Sequence, residues 1–373
     1  MENARDSLDQ EACYRAVLTR DPRFDGRFFT CVKTTGIYCR PVCPARTPRR
    51  ENMSFVASAA AAEEAGFRAC LRCRPETAPD MGAWRGTSNT VSRALGLIDA
   101  GALDSHSESG GDVDALAARL GVGERHLRRL FRQHLGAAPV SVAQTRRVLL
   151  AKALIHQTDL GMAEVALASG FGSVRRFNET FQRLYGRPPS ALRRRAEKAG
   201  DGGIRLSLPY RAPYEIKAML AALAARGEVV EGGVWRRALT AEADGATGEV
   251  SARFEDGNRL AVTVAIADLK ALPGVLARVR RVFDLSADPE AIQHDLAADA
   301  LLAPLVRARP GLRLPGDWLD AGADMASDRL EDARLAGRAE QWRPWRAYGA
   351  LHLREAGIDG AHLMENGDEK DAA

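Results

Sequence analysis

Residues 36–43 read GIYCRPVC and residues 69–75 read ACLRCRP, so two close cysteine pairs stand on either side of a 26-residue spacer. The first pair, Cys39 and Cys43, has the spacing C-x3-C, and the second pair, Cys70 and Cys73, has the spacing C-x2-C. Each short turn presents two thiolates together, which is what the four-coordinate, tetrahedral Zn2+ ion requires. The sequence therefore predicts that this stretch folds around Zn2+ held by all four cysteines. Free structural cysteines are the alternative.

The chain has six cysteines, all within its first 73 residues. Cys13 and Cys31 fall outside the paired spacing, and for them we expect small buried side chains. No stretch approaches the roughly 18 apolar residues of a membrane span, and residues 1–10 lack a signal pattern. We therefore expect a cytoplasmic protein, whose reducing surroundings disfavour disulfides.

The 373 residues, 46% of them hydrophobic, are enough for two or three domains with cores. Charge divides the chain: residues 1–200 hold 31 Lys or Arg and 21 Asp or Glu, whereas residues 201–373 hold 22 and 28. Arginines crowd the cysteine pairs in particular, and such a cluster suits phosphate; the alternative is a structural zinc module that holds a DNA-binding surface together. These arginines are Arg40, Arg46, Arg49, Arg50, Arg68, Arg72 and Arg74.

Several runs around the cysteines carry a resemblance, namely DGRFF at 25–29, TTGIYCRPVCPA at 34–45, ENMSF at 51–55 and AGFRACLRCRP at 65–75. They resemble the zinc domain of Ada-type adaptive-response proteins over residues 8–76. The resemblance implies a single-turnover transfer in which a zinc thiolate takes a methyl group from a methylphosphotriester in DNA. By position the acceptor is Cys39, with Arg40, Arg46, Arg50, Arg68 and Arg72 near the DNA backbone.

The middle of the chain has two helix-turn-helix patterns. In Leu116–Gly136, the small Ala117, the turn Gly121 and the apolar Leu127 have the required spacing, although an ordinary helical hairpin fits as well. The second helix of this unit carries predicted DNA contacts at Arg125, His126, Arg128 and Arg129. Two such units joined by one helix would reach successive major grooves.

The second unit, Glu164–Tyr185, is more specific. Its runs ASGFGS at 168–173, FN at 177–178 and YGRPPS at 185–190 resemble the signature of AraC-type regulators, which implies DNA contacts from Ser173, Arg175 and Arg176. Phe171, Phe177 and Phe181 have helical spacing and are predicted to be core rather than base-stacking groups.

The back of the chain predicts an α+β domain. Ile204–Leu208, Val229–Thr240, Glu249–Phe254 and Arg259–Ile266 alternate as strands, and Asp256-Gly257 predicts a hairpin between the last two. The runs LPYRAPY at 208–214, RVFDLSADP at 281–289 and ARPGLRLPG at 308–316 resemble the N-terminal domain of 3-methyladenine DNA glycosylase II. The run EQWRPWRAY at 340–348 resembles the closing helix of that family, with Trp342 and Trp345 as hydrophobic anchors.

Between these runs the sequence departs from the family. After Gly316 we expect a helix-hairpin-helix catalytic block, but the chain passes directly to Asp317-Trp318-Leu319. Asp317 matches the catalytic carboxylate locally; in a remnant without hairpin and base pocket it is an ordinary exposed or capping residue. The Pro-Cys-His-Arg motif of a second Ada-type alkyltransferase domain is likewise absent from this sequence, since no cysteine follows Cys73.

These observations predict a multidomain protein: a small α/β zinc domain at 1–78, a linker at 79–90 and an all-α double helix-turn-helix domain at 91–198. A linker at 199–203, the α+β glycosylase N-terminal-like domain at 204–316, and a C-terminal remnant at 317–373 complete it. The predicted function is an alkylation-damage sensor and regulator that binds double-stranded DNA and contacts RNA polymerase. The rivals are an alkylated-base glycosylase and a transcription factor whose zinc is structural.

Overall fold

The computed structural model describes residues 8–79, 89–104, 112–193, 203–319 and 335–358. Three kinds of architecture follow one another along the chain, as the sequence predicts: a small α/β module, a helical segment and an α+β segment. Among the described residues, no helix is long and apolar enough to cross a membrane.

The first module packs two helices against a four-stranded sheet of order β3-β1-β2-β4. Strand β1 is antiparallel to β2 and β3, and β2 is parallel to β4. The carboxylate of Asp9 accepts two backbone hydrogen bonds at the start of α1, which fixes where that helix begins. The elements are α1 (Gln10–Thr19), β1 (Phe29–Val32), β2 (Ile37–Cys39), β3 (Met53–Val56), α2 (Ala59–Glu64) and β4 (Arg68–Ala69).

Cys13 and Cys31 are buried, as predicted. Cys13 packs with Phe28, Met53 and Phe55 under α1, whereas Cys31 lies on β1 in the main core of the chain. Burial raises the pKa of the Cys31 thiol to about 12, so it stays protonated at neutral pH. Both thiols are therefore inert core groups.

The helical segment contains both predicted helix-turn-helix units, joined by the long helix α6. The first unit is α4 followed by α5, and the second is α7 followed by α8. Phe171, Phe177 and Phe181 form a chain of ring contacts in the core, which confirms their packing role. The helices are α3 (Asn89–Asp99), α4 (Val113–Arg119), α5 (Glu124–Leu135), α6 (Pro139–Gln157), α7 (Met162–Ala168) and α8 (Val174–Tyr185).

The back segment is built on a five-stranded antiparallel sheet of order β5-β9-β8-β7-β6. The predicted single strand Val229–Thr240 is wrong: Gly232 and Gly233, at φ +57° and +77°, turn the chain back and split it into β6 and β7. Only glycine adopts that pair of left-handed conformations readily, so this stretch is a hairpin. The hairpin predicted at Asp256-Gly257 does join β8 to β9.

Helices pack against this sheet and continue into the last described segment. Trp342 and Trp345 are both 2% exposed and anchor that segment against α12 and α13, as predicted. The elements are β5 (Ile204–Pro209), α9 (Ile216–Ala225), β6 (Val229–Glu231), β7 (Val234–Leu239), α10 (Ala241–Asp244), β8 (Gly248–Glu255), β9 (Arg259–Ile266), α11 (Leu272–Val282), α12 (Pro289–Leu296), α13 (Leu302–Ala308), α14 (Ala336–Ala339) and α15 (Arg346–Glu355).

The three parts share one apolar core. Phe29 and Tyr38 of the zinc module, Phe177 of the second helix-turn-helix unit and Val262 of the back sheet belong to the same buried cluster. Helix α2 packs on α6, and β5 packs on the same helix. The long helix is therefore the element against which the front and back of the chain are assembled.

Candidate metal centre and DNA-binding surface

The four predicted ligands meet at one end of the small sheet. Because β2 and β4 run parallel, with Tyr38 opposite Ala69, the residues that follow them emerge side by side. Cys39 ends β2, and Cys70 follows β4 with its backbone N–H donating to the Tyr38 carbonyl at 3.0 Å. A turn closed by a 3.1 Å bond from the Cys43 N–H to the Arg40 carbonyl brings in Cys43. The sulfurs of Cys39, Cys43, Cys70 and Cys73 all lie within 4.8 Å of one another.

This donor set fits Zn2+. Hydrogen bonding with Cys43, helped by burial, raises the pKa of the Cys39 thiol, whereas hydrogen bonding with Cys39 lowers the pKa of Cys43 to about 7. Four thiols so close together cannot all ionise by themselves, and a divalent cation among them removes the conflict. Four cysteine sulfurs at short range match the donor set of a tetrahedral zinc site. Cys39 and Cys43 are half-buried, while Cys70 and Cys73 are buried.

Backbone N–H groups also face the sulfurs. The Arg40 N–H donates to Cys73 Sγ at 3.4 Å, and the Arg72 N–H donates to Cys70 Sγ at 3.3 Å. Donors of this kind stabilise negative charge on sulfur and orient the ligand. The two buried cysteines are thus the more firmly held half of the site.

The predicted phosphate-binding arginines divide into two groups. The side chain of Arg40 is engaged inside the module, where it pairs with the Asp25 carboxylate and donates to the Cys73 carbonyl at 3.2 Å and to Thr77 Oγ1 at 2.6 Å. Arg50 is half-buried and lies over the rings of Tyr14 and Phe55. The remaining predicted residues comprise Arg46 and Arg72, which are exposed, and Arg68, which is half-buried.

The predicted DNA contacts of the helix-turn-helix units lie on exposed faces of α5 and α8. Arg175 pairs with Glu179 one turn along the helix at 2.8 Å, and Arg128 pairs with Glu124 in the same way. Such exposed pairs are worth only about 0.3–0.5 kcal/mol, so a phosphate or base edge replaces them easily. The exposed predicted contacts are Arg125, His126, Arg128, Arg129, Ser173, Arg175 and Arg176.

Ser173 has a structural role as well. Its hydroxyl accepts a 3.2 Å hydrogen bond from the Arg176 N–H and caps the start of α8. A serine cap at the first turn positions the amino end of a helix, which is the end that a recognition helix presents to the major groove. Ser173 therefore orients Arg175 and Arg176 in addition to facing outward itself.

Asp317 is exposed at the end of the α+β domain of residues 203–319, hereafter the back domain. Its Oδ1 accepts a 2.8 Å hydrogen bond from the Leu319 N–H, and its backbone carbonyl accepts one from Arg281. The neighbouring Trp318 is buried, with its indole N–H donating to Asp244 at 2.7 Å. In the described part of the chain, Asp317 thus has the surroundings of a local capping carboxylate.

Several charged groups near the cysteine cluster are buried, and the sequence does not predict their burial. Lys152 pairs with Glu76 in the core, and Glu63 accepts from the Tyr38 hydroxyl at 3.0 Å and from Thr145 at 2.8 Å. A lysine or glutamate on a helix looks like surface in a sequence, because nothing local marks the partner that lies far along the chain. No local sequence pattern therefore marks these residues as buried.

Comparison with known proteins divides the chain in the same way. Residues 12–76 match the metal binding domain of Ada, residues 116–195 match a helix-turn-helix domain, and residues 205–319 match the AlkA N-terminal domain. The chain is therefore a multidomain protein with an Ada-type zinc-binding domain, a helix-turn-helix domain and an AlkA N-terminal domain. The cysteine cluster lies in the first of these.

Individual relatives match different shares of the chain. A probable bifunctional transcriptional activator/DNA repair enzyme AlkA of Mycobacterium tuberculosis is 41% identical over 317 residues, which is 82% of this chain and 62% of that protein. The Ada protein of Escherichia coli, a bifunctional transcriptional activator/DNA repair enzyme, is 39% identical over 38% of this chain and 37% of its own length. A crystal structure of a methylated N-Ada/DNA complex is 35% identical and covers 38% of this chain and 99% of that chain, with a TM-score of 0.19. The chain thus spans less than two thirds of the length of its mycobacterial relative.

Proposed function

We propose that this protein senses DNA methylation damage: Cys39 irreversibly accepts a methyl group from a DNA methylphosphotriester, and the helix-turn-helix domain then binds promoters of repair genes. The observation that carries the proposal is a half-exposed cysteine within a four-sulfur cluster, in one chain with two basic recognition helices. A site meant only for structure needs no ligand at the surface.

The exposure of the four cysteines narrows the choice of the residue that accepts the methyl group. Cys70 and Cys73 are each 7% exposed and receive backbone N–H donors on sulfur, which lowers their nucleophilicity. Cys39 and Cys43 are half-buried, so their residues are more open to a backbone phosphotriester. The Ada-type domain assigns the role to the first ligand, so we assign it to Cys39 and leave Cys43 as the outcome that peptide mapping distinguishes.

The transfer balances as a single displacement. Zn2+ bound by Cys39, Cys43, Cys70 and Cys73 would keep the sulfurs as thiolates at neutral pH. The Cys39 sulfur attacks the methyl carbon, the new S–C bond forms as the methyl C–O bond breaks, and the electron pair leaves with the phosphate oxygen. The products are an S-methyl thioether on Cys39 and an ordinary phosphodiester. The reverse reaction has no good leaving group, so each molecule reacts once.

The reaction changes the charge that faces DNA. A thiolate that becomes a thioether loses one negative charge, which weakens repulsion from the phosphate backbone next to Arg46 and Arg72. The DNA affinity of the methylated protein therefore rises. Methylation of Cys39 thus reports the damage as tighter DNA binding. Part of this electrostatic gain is screened away as salt increases.

The second half of the proposal concerns transcription. Helices α5 and α8 each carry exposed arginines near their amino ends, and two such helices joined by α6 suit successive major grooves. We propose that promoter binding takes place in the cytoplasm and that activation includes a contact with RNA polymerase. Excision of alkylated bases is the weaker alternative, because Asp317 is exposed and bonded to its own turn.

The test is intact-mass analysis of zinc-loaded protein after incubation with methylphosphotriester-containing DNA. A gain of about 14 mass units, the arithmetic of one methyl replacing one hydrogen, is expected once per molecule and should map by peptide analysis to Cys39. The Cys39→Ser variant should show no gain. A zinc-loaded protein without an adduct would contradict the proposal. If the DNA also carries 3-methyladenine, release of that base would support the glycosylase alternative.

A further inference from the structure

Residues 25–27 of the zinc module lie against the back domain, which holds them at two points. Arg27 Nη2 donates to Asp288 Oδ1 at 2.7 Å and to Glu290 Oε2 at 2.8 Å. From the other side, Arg211 Nη2 donates to the Asp25 carbonyl at 3.4 Å. The side chain of Asp288 is 0% exposed, so this contact is a built interface rather than a chance surface pair.

The same turn leads directly to the metal ligands. The Asp25 carboxylate accepts from Arg40 Nε at 2.8 Å, and the Arg40 guanidinium in turn donates to the Cys73 carbonyl at 3.2 Å. The backbone N–H of Arg40 donates to the sulfur of Cys73. Asp25 is 6% exposed, so its charge has to be met by Arg40. Arg40 also follows the proposed methyl acceptor Cys39 in the chain.

We propose that the AlkA N-terminal domain of this protein acts as a clamp on the methyl-acceptor site. Asp288 and Arg27 are positioning residues that act through Asp25 and Arg40 on the ligand Cys73. The consequence for methyl transfer rests on the proposed function, whereas the consequence for the metal centre does not. This contact gives the domain a role, because it fixes the segment from which the ligands are held.

Groups one layer behind metal ligands have measurable effects. Removal of such a contact typically weakens metal binding by about 10–100-fold, because the ligand loses its fixed orientation. Asp288 is connected to Asp25 only through Arg27 and the backbone of residues 25–27, so a smaller effect is expected. A loosened turn at residues 25–27 should let Cys73 leave the metal more often and speed its loss to a chelator.

A simpler role for Asp288 has to be separated from the clamp. Its Oδ1 also accepts from the Ala291 N–H at 3.2 Å and caps α12. Asparagine retains this acceptor and the shape of the side chain but removes the charge that Arg27 meets. Asp288→Asn therefore tests the ion pair, and Arg27→Gln tests it from the zinc module. Arg27→Lys keeps the charge and serves as the conservative variant.

The back domain offers a matched control in Asp299. This carboxylate has a side chain 3% exposed, accepts from the Leu301 N–H at 2.8 Å and pairs with Arg338 of the C-terminal segment at 2.9 Å, and neither partner belongs to the zinc module. Asp299→Asn weakens the back domain by the same kind of change as Asp288→Asn, without touching the zinc module. A difference between the two variants reports the interface itself.

The experiment measures the rate at which zinc-loaded, full-length protein loses zinc to an excess of a chromophoric chelator. We expect Asp288→Asn and Arg27→Gln each to raise this rate by about 3- to 10-fold, with the double variant no faster than Arg27→Gln alone. Arg27→Lys should stay near the wild-type rate, and Asp299→Asn should equal it. An unchanged rate in Asp288→Asn, or the same increase in Asp299→Asn, would overturn the clamp.

Methylation of Cys39 is followed in parallel, so that the two proposals fail separately. Normal methylation with unchanged zinc loss in Asp288→Asn overturns the clamp and leaves the proposed function. Faster zinc loss from Asp288→Asn, in a protein whose wild type forms no adduct, supports the clamp and overturns the proposed function.

Discussion

The Lys152 ammonium donates to the Glu76 carboxylate at 2.7 Å, and neither side chain is more than 1% exposed. Lys152 lies on α6 of the helix-turn-helix domain, whereas Glu76 comes three residues after Cys73, the last cysteine of the four-sulfur cluster. Lys152 also lies 5.7 Å from the ring centre of Tyr185, the last residue of α8. One buried charge pair therefore joins the segment after Cys73 to α6, and the Tyr185 ring extends this contact to the end of α8.

Loss of one member of this pair should destabilise the protein strongly. Lys152→Met leaves the Glu76 charge buried and paired with Arg74, and we expect the free energy of unfolding to fall by about 3 kcal/mol. The measurement is urea unfolding of the zinc-loaded chain. Arg205→Met removes an exposed pair with Glu255 and should cost less than about 1 kcal/mol. Equal losses in the two variants would mean that the buried pair contributes no more to the free energy of unfolding than the exposed pair does.

The same pair predicts a pH dependence. Burial alone would raise the pKa of Glu76, but Lys152 and Arg74 outweigh it and hold the pKa below its ordinary value of 4.5. For a carboxyl group with a lowered folded pKa, the stabilisation is complete above the unfolded pKa and is lost as pH falls through the folded pKa. The stability difference between wild type and Glu76→Gln should be constant from pH 7 to pH 5 and shrink below about pH 4.5. Midpoints of urea unfolding across this pH range measure the stability difference. A difference that grows toward acid pH would contradict a charged Glu76 paired with Lys152.

Zinc removal should unfold the front of the chain selectively. Apart from the residues that join the shared core, the first module has one small apolar cluster beside a four-stranded sheet, and its two cysteine turns meet at the four-sulfur cluster. Structural zinc contributes on the order of 10 kcal/mol of apparent binding free energy in small domains. With a strong chelator, limited proteolysis should cut within residues 12–76 first and leave the back sheet intact. Added Zn2+ should restore protection, and equal protection with and without zinc would refute a structural contribution of the metal.

The parts of this protein that the sequence predicted are those with local signals. Two cysteine turns such as Cys39–Cys43 announce their chemistry within four or five residues, and the turn at Gly170 marks a helix-turn-helix by its spacing alone. The strand boundary at Gly232-Gly233 was missed, because alternation on both sides of a tight turn reads as one continuous strand.

The remaining features depend on contacts between distant residues. Arg40 looks like a phosphate contact in a basic segment, yet its partner Asp25 is fifteen positions away and makes it an internal brace. Lys152 and Asp288 look like ordinary surface charges on helices, and only the assembled domains bury them. A sequence shows charge but not burial, so the clamp and the core ion pair had to come from the structure.

DNA recognition by α8 can be tested at Arg176, which is exposed in the first turn of the helix after the Ser173 cap. For a DNA sequence selected from a random pool, Arg176→Ala should weaken binding by about 1–3 kcal/mol, since an arginine that reaches base edges discriminates by this amount. Binding to unselected DNA should change much less. Arg253→Ala, an exposed arginine on the back sheet, is the control and should change neither. Fluorescence anisotropy at fixed salt measures both, and uniform weakening on every DNA would assign Arg176 to the phosphate backbone instead.

The turn of the second helix-turn-helix unit should tolerate no side chain at Gly170. This residue has φ +89°, and a Cβ built there would lie 2.4 Å from the carboxyl carbon of Asp104, which is itself held by Arg146 and Arg147. Gly186, at φ +65° after α8, has open space around it, so Gly186→Ala costs only the left-handed backbone, about 1 kcal/mol. Gly170→Ala has the same backbone strain and must also displace a paired carboxylate. We therefore expect its free energy of unfolding to fall by at least about 2 kcal/mol more than that of Gly186→Ala, which is within the range for disturbing a buried charged network. Urea unfolding of the two variants side by side measures the difference. Equal losses would mean that Asp104 can move aside and that the glycine is required only for its backbone conformation.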